Sequence, residues 1–251
     1  MLDEPLVKVV LVAMVAGGAT GIGAFPIFFT DRISHRVYDG ALGLAAGIMF
    51  GASMFSLILP GMELGDMWEV MVGILLGGLF LLGTNQLIPH LHLDFGNPEG
   101  AEFKKKALLI GSAITIHNFP EGLAVGIAFG SGFEGVALAL AVAIGIQNVP
   151  DGFAMSIPAS KTELSKSKNL LYTTLSGGIP EPVAAVLGFS LVTVFTQIFP
   201  LAAGFAAGAM MAVIFREMIP SSHSHGYANF ATMTFVAGFV LMMFIDNVFA
   251  V

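Results

Sequence analysis

Eight apolar runs, each about the length that crosses a bilayer and each closed off by a short polar break, fill nearly all of this 251-residue chain. They lie over residues 6–30, 39–60, 67–89, 105–130, 133–158, 169–197, 200–219 and 227–250. A helix needs about 20 mainly apolar residues to cross a hydrocarbon core of about 30 Å. Charged residues make up only 11% of the chain, against about 25% in an ordinary soluble domain, and the mean hydropathy is +0.87. A surface this apolar calls for lipid as its solvent. Inside lipid the backbone must satisfy its own polar groups, so each run is expected to be helical. The expectation is an all-α polytopic membrane protein of eight transmembrane helices, with residues 1–251 forming a single transmembrane domain.

The few charges set an orientation. Ten residues are Lys or Arg, and eight of them fall in the connections after spans one, three and five: Arg32 and Arg36; Lys104, Lys105 and Lys106; Lys161, Lys166 and Lys168. The connections after spans two, four and six carry none. Basic connections face the cytoplasm, which puts both termini outside, as an even number of spans requires. The start, Met1-Leu2-Asp3-Glu4-Pro5, is acidic where a cleavable signal is basic, so the first run is expected to stay as a helix in the cell membrane. A net charge of -7, with no basic run carrying interleaved aromatics, does not suggest a nucleic-acid partner, and none is expected. The absence of cysteine excludes disulfides and thiolate ligands.

Two segments repeat. Ala113–Ile127 reads AITIHNFPEGLAVGI, and Ala143–Ile157 reads AIGIQNVPDGFAMSI, identical at eight of fifteen positions. Consecutive spans cross in opposite directions, so the copies are antiparallel, the mark of an inverted-repeat transporter core. A fainter echo pairs Gly43–Met49 (GLAAGIM) with Gly204–Met210 (GFAAGAM), each followed by a proline, Pro60 or Pro220. Small-residue runs also recur wherever membrane helices pack closely.

The repeat carries polar residues at membrane depth, where a carboxylate costs about 2.5–3.5 kcal/mol on insertion scales. Span four holds His117, Asn118 and Glu121; span five holds Gln147, Asn148 and Asp151. Residues four apart share a helix face, so His117 aligns with Glu121 and Gln147 with Asp151. Each set surrounds a proline, Pro120 or Pro150, which removes an amide proton and clashes with the carbonyl four residues back. Gly122 and Gly152 follow and permit close helix approach. Span six adds Glu181 between Pro180 and Pro182, and span seven adds Glu217 beside Arg216. Nitrogen and oxygen donors without thiolate suit borderline divalent ions such as Zn²⁺, Fe²⁺, Co²⁺ or Mn²⁺. Three carboxylates offset the charge of one or two such ions at midplane. A purely structural network would more economically use Ser, Thr or Asn.

At these residues the chain resembles the ZIP (Zrt/Irt-like) metal-transporter family, and its GufA-like branch in particular. The resemblance rests on HNFPEG from His117 to Gly122, IGIQNVPDG from Ile144 to Gly152 and SGGIPEP from Ser176 to Pro182, and the order of spans extends it over nearly the whole chain. It implies a 3+2+3 arrangement of eight helices with inverted repeats, a homodimer, and zinc or a similar divalent ion as the substrate, with no cofactor. It also implies a two-metal site. His117, Glu121, Gln147 and Asp151 would form the primary site; Asn118, Asn148 and Glu181 would form the adjoining one, bridged by Glu121 and Asp151. Met49, Ser56 and Glu217 resemble positions lining the metal's route. Asp151 stands where the family usually has Glu, and Asn148 where some relatives have Asp.

Two other classes compete with a carrier. A membrane-embedded hydrolase would want an H-E-x-x-H helix or an open zinc position with a general base, and neither is present in the sequence. A metal-selective channel is not separated from a carrier by sequence. The loop histidines His90 and His92 (with Asp94), and His223 and His225, suggest capture points or solvated side chains. Lone His35 reads as structural or solvated, the methionines as lipid-facing or packing residues. Asp246 is a charge near the outer end of span eight.

Overall fold

The computed structural model describes residues 4–30, 34–87, 117–160 and 164–249. Helix α1 runs Glu4–Phe28, α2 His35–Leu64, α3 Met67–Leu87, α5 Glu134–Ser160, α6 Lys166–Val194, α7 Thr196–Ser222 and α8 Ala228–Phe249. Between them α4 covers residues 117–130. Seven of these are long and apolar enough to cross a membrane. The span expected over 105–130 lies partly outside the described residues, and α4 is its second half.

Helix starts follow capping chemistry more than hydropathy. The Ser34 hydroxyl accepts from the Val37 amide and Ser165 from the Lys168 amide, both at 3.3 Å. Each satisfies an amide left unpaired at a helix start. These caps begin α2 and α6 a few residues earlier than the apolar runs do. The second half of α1, Ala19–Phe28, winds as a 3₁₀ helix, which hydropathy does not foresee.

The prolines of α2, α6 and α7 are absorbed in two ways. In α6 the regular helix stops at Gly178 and restarts at Pro180, with Ile179 between them. In α2 and α7 the chain loosens into a π-turn, Ser53–Ile58 and Ile214–Met218, just before Pro60 and Pro220. The amides of Leu59 and Ile219 bond five residues back, to Met54 and Ile214. The wider turn gives room for the carbonyl that a proline ring would strike in an α-helix. Both helices therefore continue past the prolines, to Leu64 and Ser222, rather than ending beside them.

The helices pair systematically. α2 packs along α8, and α3 along α7. In both pairs glycines bring backbones together: a Cβ at Gly47 would overlap Phe235, and one at Gly208 would overlap Ile74. Close backbone approach is how helices associate where lipid is as apolar as leucine. α1 packs against α5 and both halves of α6, and Lys8 pairs with Glu134 where α1 and α5 begin. α4 rests on the second half of α6, Gly126 against Ala185 and Gly188 against Leu123. The described helices thus form two blocks, α1–α4–α5–α6 and α2–α3–α7–α8, and α2 and α8 of the second touch α5 of the first. Of the seven long helices, α2 and α7 are the most enclosed, with 72% and 67% of an 18-residue apolar stretch buried, against 22% for α3 and α8.

Candidate metal centre

α5 runs unbroken through Pro150 and lies against α4 and the broken middle of α6. Glycine allows that closeness. A Cβ at Gly122 would overlap the backbone of Glu181, and one at Gly152 would overlap the carbonyl of Thr20. Both glycines follow a candidate ligand by one residue, so Glu121 and Asp151 are carried into the packed centre by their neighbours' lack of a side chain. Glu181 sits in the first turn of the second half of α6, where the helix dipole favours a negative charge.

The amides of the expected ligands are all committed on one side. Gln147 Nε2 donates to Glu121 Oε1 at 2.7 Å. Asn148 Nδ2 donates to Glu181 Oε1 at 2.7 Å and to the Ala16 carbonyl at 2.8 Å. Asn118 Nδ2 donates to the Ser176 carbonyl at 2.8 Å. A carboxylate or carbonyl partner can only accept, so it fixes which end of each amide is the nitrogen. The oxygens are left over. Among the described residues, the buried side-chain atoms without a hydrogen-bond partner are Asn118 Oδ1, Glu121 Oε2, Gln147 Oε1, Asn148 Oδ1, Glu181 Oε2, His117 Nε2 and Asp39 Oδ2. All but the last belong to residues singled out from the sequence as ligands. A buried polar atom left unpaired costs about 1–3 kcal/mol, and a single cation can satisfy several oxygens together.

Charge points the same way. Glu121, Asp151 and Glu181 lie within Coulombic reach of one another, and Asp151 within reach of His117. Glu121, Gln147, Asn148 and Glu181 are fully enclosed; His117 and Asp151 are half-buried. His117 Nε2 stands 2.6 Å from Glu217 Oε2 on α7, an ion-pair distance that bridges the two blocks, although its direction falls short of a hydrogen bond. Among the described residues no three His, Asp or Glu side chains are preassembled as a metal cage. The arrangement is a mixed cradle, in which amide oxygens complement the carboxylates.

Met49 and Ser56 are buried on α2. Ser56 Oγ donates to Asp246 Oδ1 on α8 at 3.4 Å, which gives Asp246 the partner that sequence reading did not supply. The carbonyls of Ala16 and Ser176, which aim two of the amides, were also missed. A backbone oxygen leaves no mark in sequence; the only available signal was the small-residue runs Ala16-Gly17-Gly18 and Ser176-Gly177-Gly178. His90, His92 and Asp94 lie outside the described residues.

Comparison with known proteins extends these observations. Residues 96–246 match the family model described as ZIP Zinc transporter. The chain is 37% identical over 244 residues to Zinc transporter GufA of Myxococcus xanthus, covering 93% of this chain and 96% of the relative. It is 37% identical to Zinc transporter ZIPB of Bordetella bronchiseptica, covering 91% and 77%, and 31% identical to human Zinc transporter ZIP11, covering 91% and 93%.

Proposed function

The chain belongs to the GufA-like branch of the ZIP zinc-transporter family, and we propose that it carries Zn²⁺ toward the cytoplasm through the cradle between α4, α5 and α6. Transport of metal ions is the activity of the family; the route, the direction and the residues are our reading. The observation that carries it is the set of buried oxygens on Asn118, Glu121, Gln147, Asn148 and Glu181 that have no partner, gathered beside three mutually repelling carboxylates.

Zinc accepts imidazole nitrogen and carboxylate oxygen. His117, Glu121, Gln147 and Asp151 form the primary position, and Asn118, Asn148 and Glu181 the adjoining one. Iron, manganese, cobalt and cadmium fit the same donors. The substrate ion would satisfy the orphaned oxygens and offset the carboxylate charge, and no cofactor is needed. Movement follows from the two blocks. In alternating access, α1–α4–α5–α6 shifts against α2–α3–α7–α8, and the His117–Glu217 contact between them breaks and forms. The pairing of α2 with α8 and α7 with α3, and the π-turn that α2 and α7 share, support a two-fold exchange of α1–α3 with α6–α8. The Lys and Arg bias of the odd-numbered connections sets the orientation in the cell membrane, with both termini outside, and two copies form a homodimer.

The test is Zn²⁺ uptake into proteoliposomes. His117→Ala and Glu121→Ala are expected to abolish uptake while the protein still elutes as a single folded species. Unchanged rates in both variants would reject the site.

A further inference from the structure

Beyond the cradle, one polar cluster is unaccounted for by the transport site. Asp39, in the first turns of α2, is fully buried, and its Oδ2 has no hydrogen-bond partner. Its Oδ1 accepts from His225 Nδ1 at 2.8 Å, and Ser224 Oγ lies 3.0 Å from the same nitrogen. The His225 ring stacks on His35, centroids 4.2 Å apart and planes 17° apart. Sequence reading paired His225 with His223, but the structure separates them. His223 spends both ring nitrogens locally, Nδ1 at 2.8 Å from the Ile219 carbonyl and Nε2 at 3.4 Å from Thr232 Oγ1.

The geometry points to His35 and His225 as a second, open binding site for a divalent transition-metal ion, with Asp39 orienting the His225 ring. This rests on the transport reading above. A carboxylate can only accept, so the ring proton of neutral His225 sits on Nδ1, and Nε2 presents a lone pair outward. A buried carboxylate behind an imidazole is the device that orients and strengthens metal-binding histidines. Two nitrogens that share one tetrahedral Zn²⁺ at about 2.0–2.1 Å stand about 3.4 Å apart with their lone pairs converging, whereas stacked rings point theirs side by side, so the exposed His35 ring swings off the stack to share an ion with His225. His225 is about one-third exposed and His35 is exposed, so water completes the coordination. Two protein donors make a weak site that exchanges its ion quickly, which suits a point of transfer.

Its position fits that use. Both histidines lie at the end of the bundle where α2 begins and carries Arg36, the cytoplasmic end in the proposed orientation. Tyr38 presents its ring edge-on to His225, with centroids 5.5 Å apart, and lies 6.3 Å from Phe153, two residues beyond Asp151 on α5. An ion leaving Asp151 toward the cytoplasm meets this pair at the mouth.

The test counts Zn²⁺ bound per chain by equilibrium dialysis of the full-length protein in detergent. His225→Gln keeps an amide donor for Asp39 but exchanges the imidazole nitrogen for a weaker amide oxygen; His35→Ala leaves the Asp39 bond untouched. Each is expected to lose one weakly held ion relative to the wild type, while Glu121→Gln keeps it. X-ray absorption of the zinc-loaded His117→Ala, Glu121→Gln protein should contain imidazole scattering that falls when His225→Gln is added. If both histidine variants bind as many ions as the wild type, the cluster is a structural tie and the inference is overturned. If they lose an ion while Glu121→Gln loses none, the inference stands and the buried cradle falls instead.

Discussion

Gln147 and Asn148 hold their neighbours by nitrogen and leave their oxygens unpartnered, a division of labour that sets what single substitutions do. Asn148→Ala removes the donor to both Glu181 and Ala16. It leaves a buried carboxylate oxygen unpaired, at about 1–3 kcal/mol. Thermal unfolding of the metal-free protein in detergent should therefore move down by several degrees, and a melting point equal to the wild type would contradict the bond. Asn148→Asp reverses the logic: it adds a fourth carboxylate and loses the donor. The metal-free protein should be destabilised, and added Zn²⁺ should raise its melting point more than it raises that of the wild type. Much of this was legible, because polar residues inside a span stand out against the apolar background. Their partners were not, since Ala16 and Ser176 contribute only backbone carbonyls and the direction of an amide depends on what it meets.

At the level of single helices, the apolar runs placed the elements and the caps and prolines set their true ends. Ser34 and Ser165 start α2 and α6 ahead of the hydropathy signal, and the π-turns carry α2 and α7 past their prolines. The 3₁₀ stretch of α1 had no counterpart in the reading, because its cause is tertiary: Thr20 and Gly23 fit against the backbone of α5 at Gly152 and Val149. That contact makes a sharp prediction. Gly152→Ala places a Cβ into the Thr20 carbonyl, so α1 and α5 must part, an overpacking penalty of about 1–3 kcal/mol. Zinc uptake should fall steeply, with reduced thermal stability. Gly18→Ala is the control, since a Cβ there meets nothing within 4 Å, and it should behave as wild type.

For the molecule as a whole, helix pairing divides the described helices into two blocks, and the contacts that bridge them were invisible in sequence. Tyr38 on α2 and Phe153 on α5 meet across that boundary. The chain has no native cysteine, so a Tyr38→Cys, Phe153→Cys pair is free of competing thiols. Oxidative crosslinking of that pair should stop Zn²⁺ flux, and reduction should restore it. Full flux in the crosslinked protein would rule out relative motion of α2 and α5 at that level. The loosened turns of α2 and α7 have one more consequence. A π-turn is an α-helix that has taken in a surplus residue, and here the surplus accommodates a proline. Shortening Ser53–Ile58 by one residue should leave Pro60 striking its own helix and unfold the protein. The same deletion made together with Pro60→Ala should restore a plain helix, so two changes, the first harmful alone, become tolerable in combination.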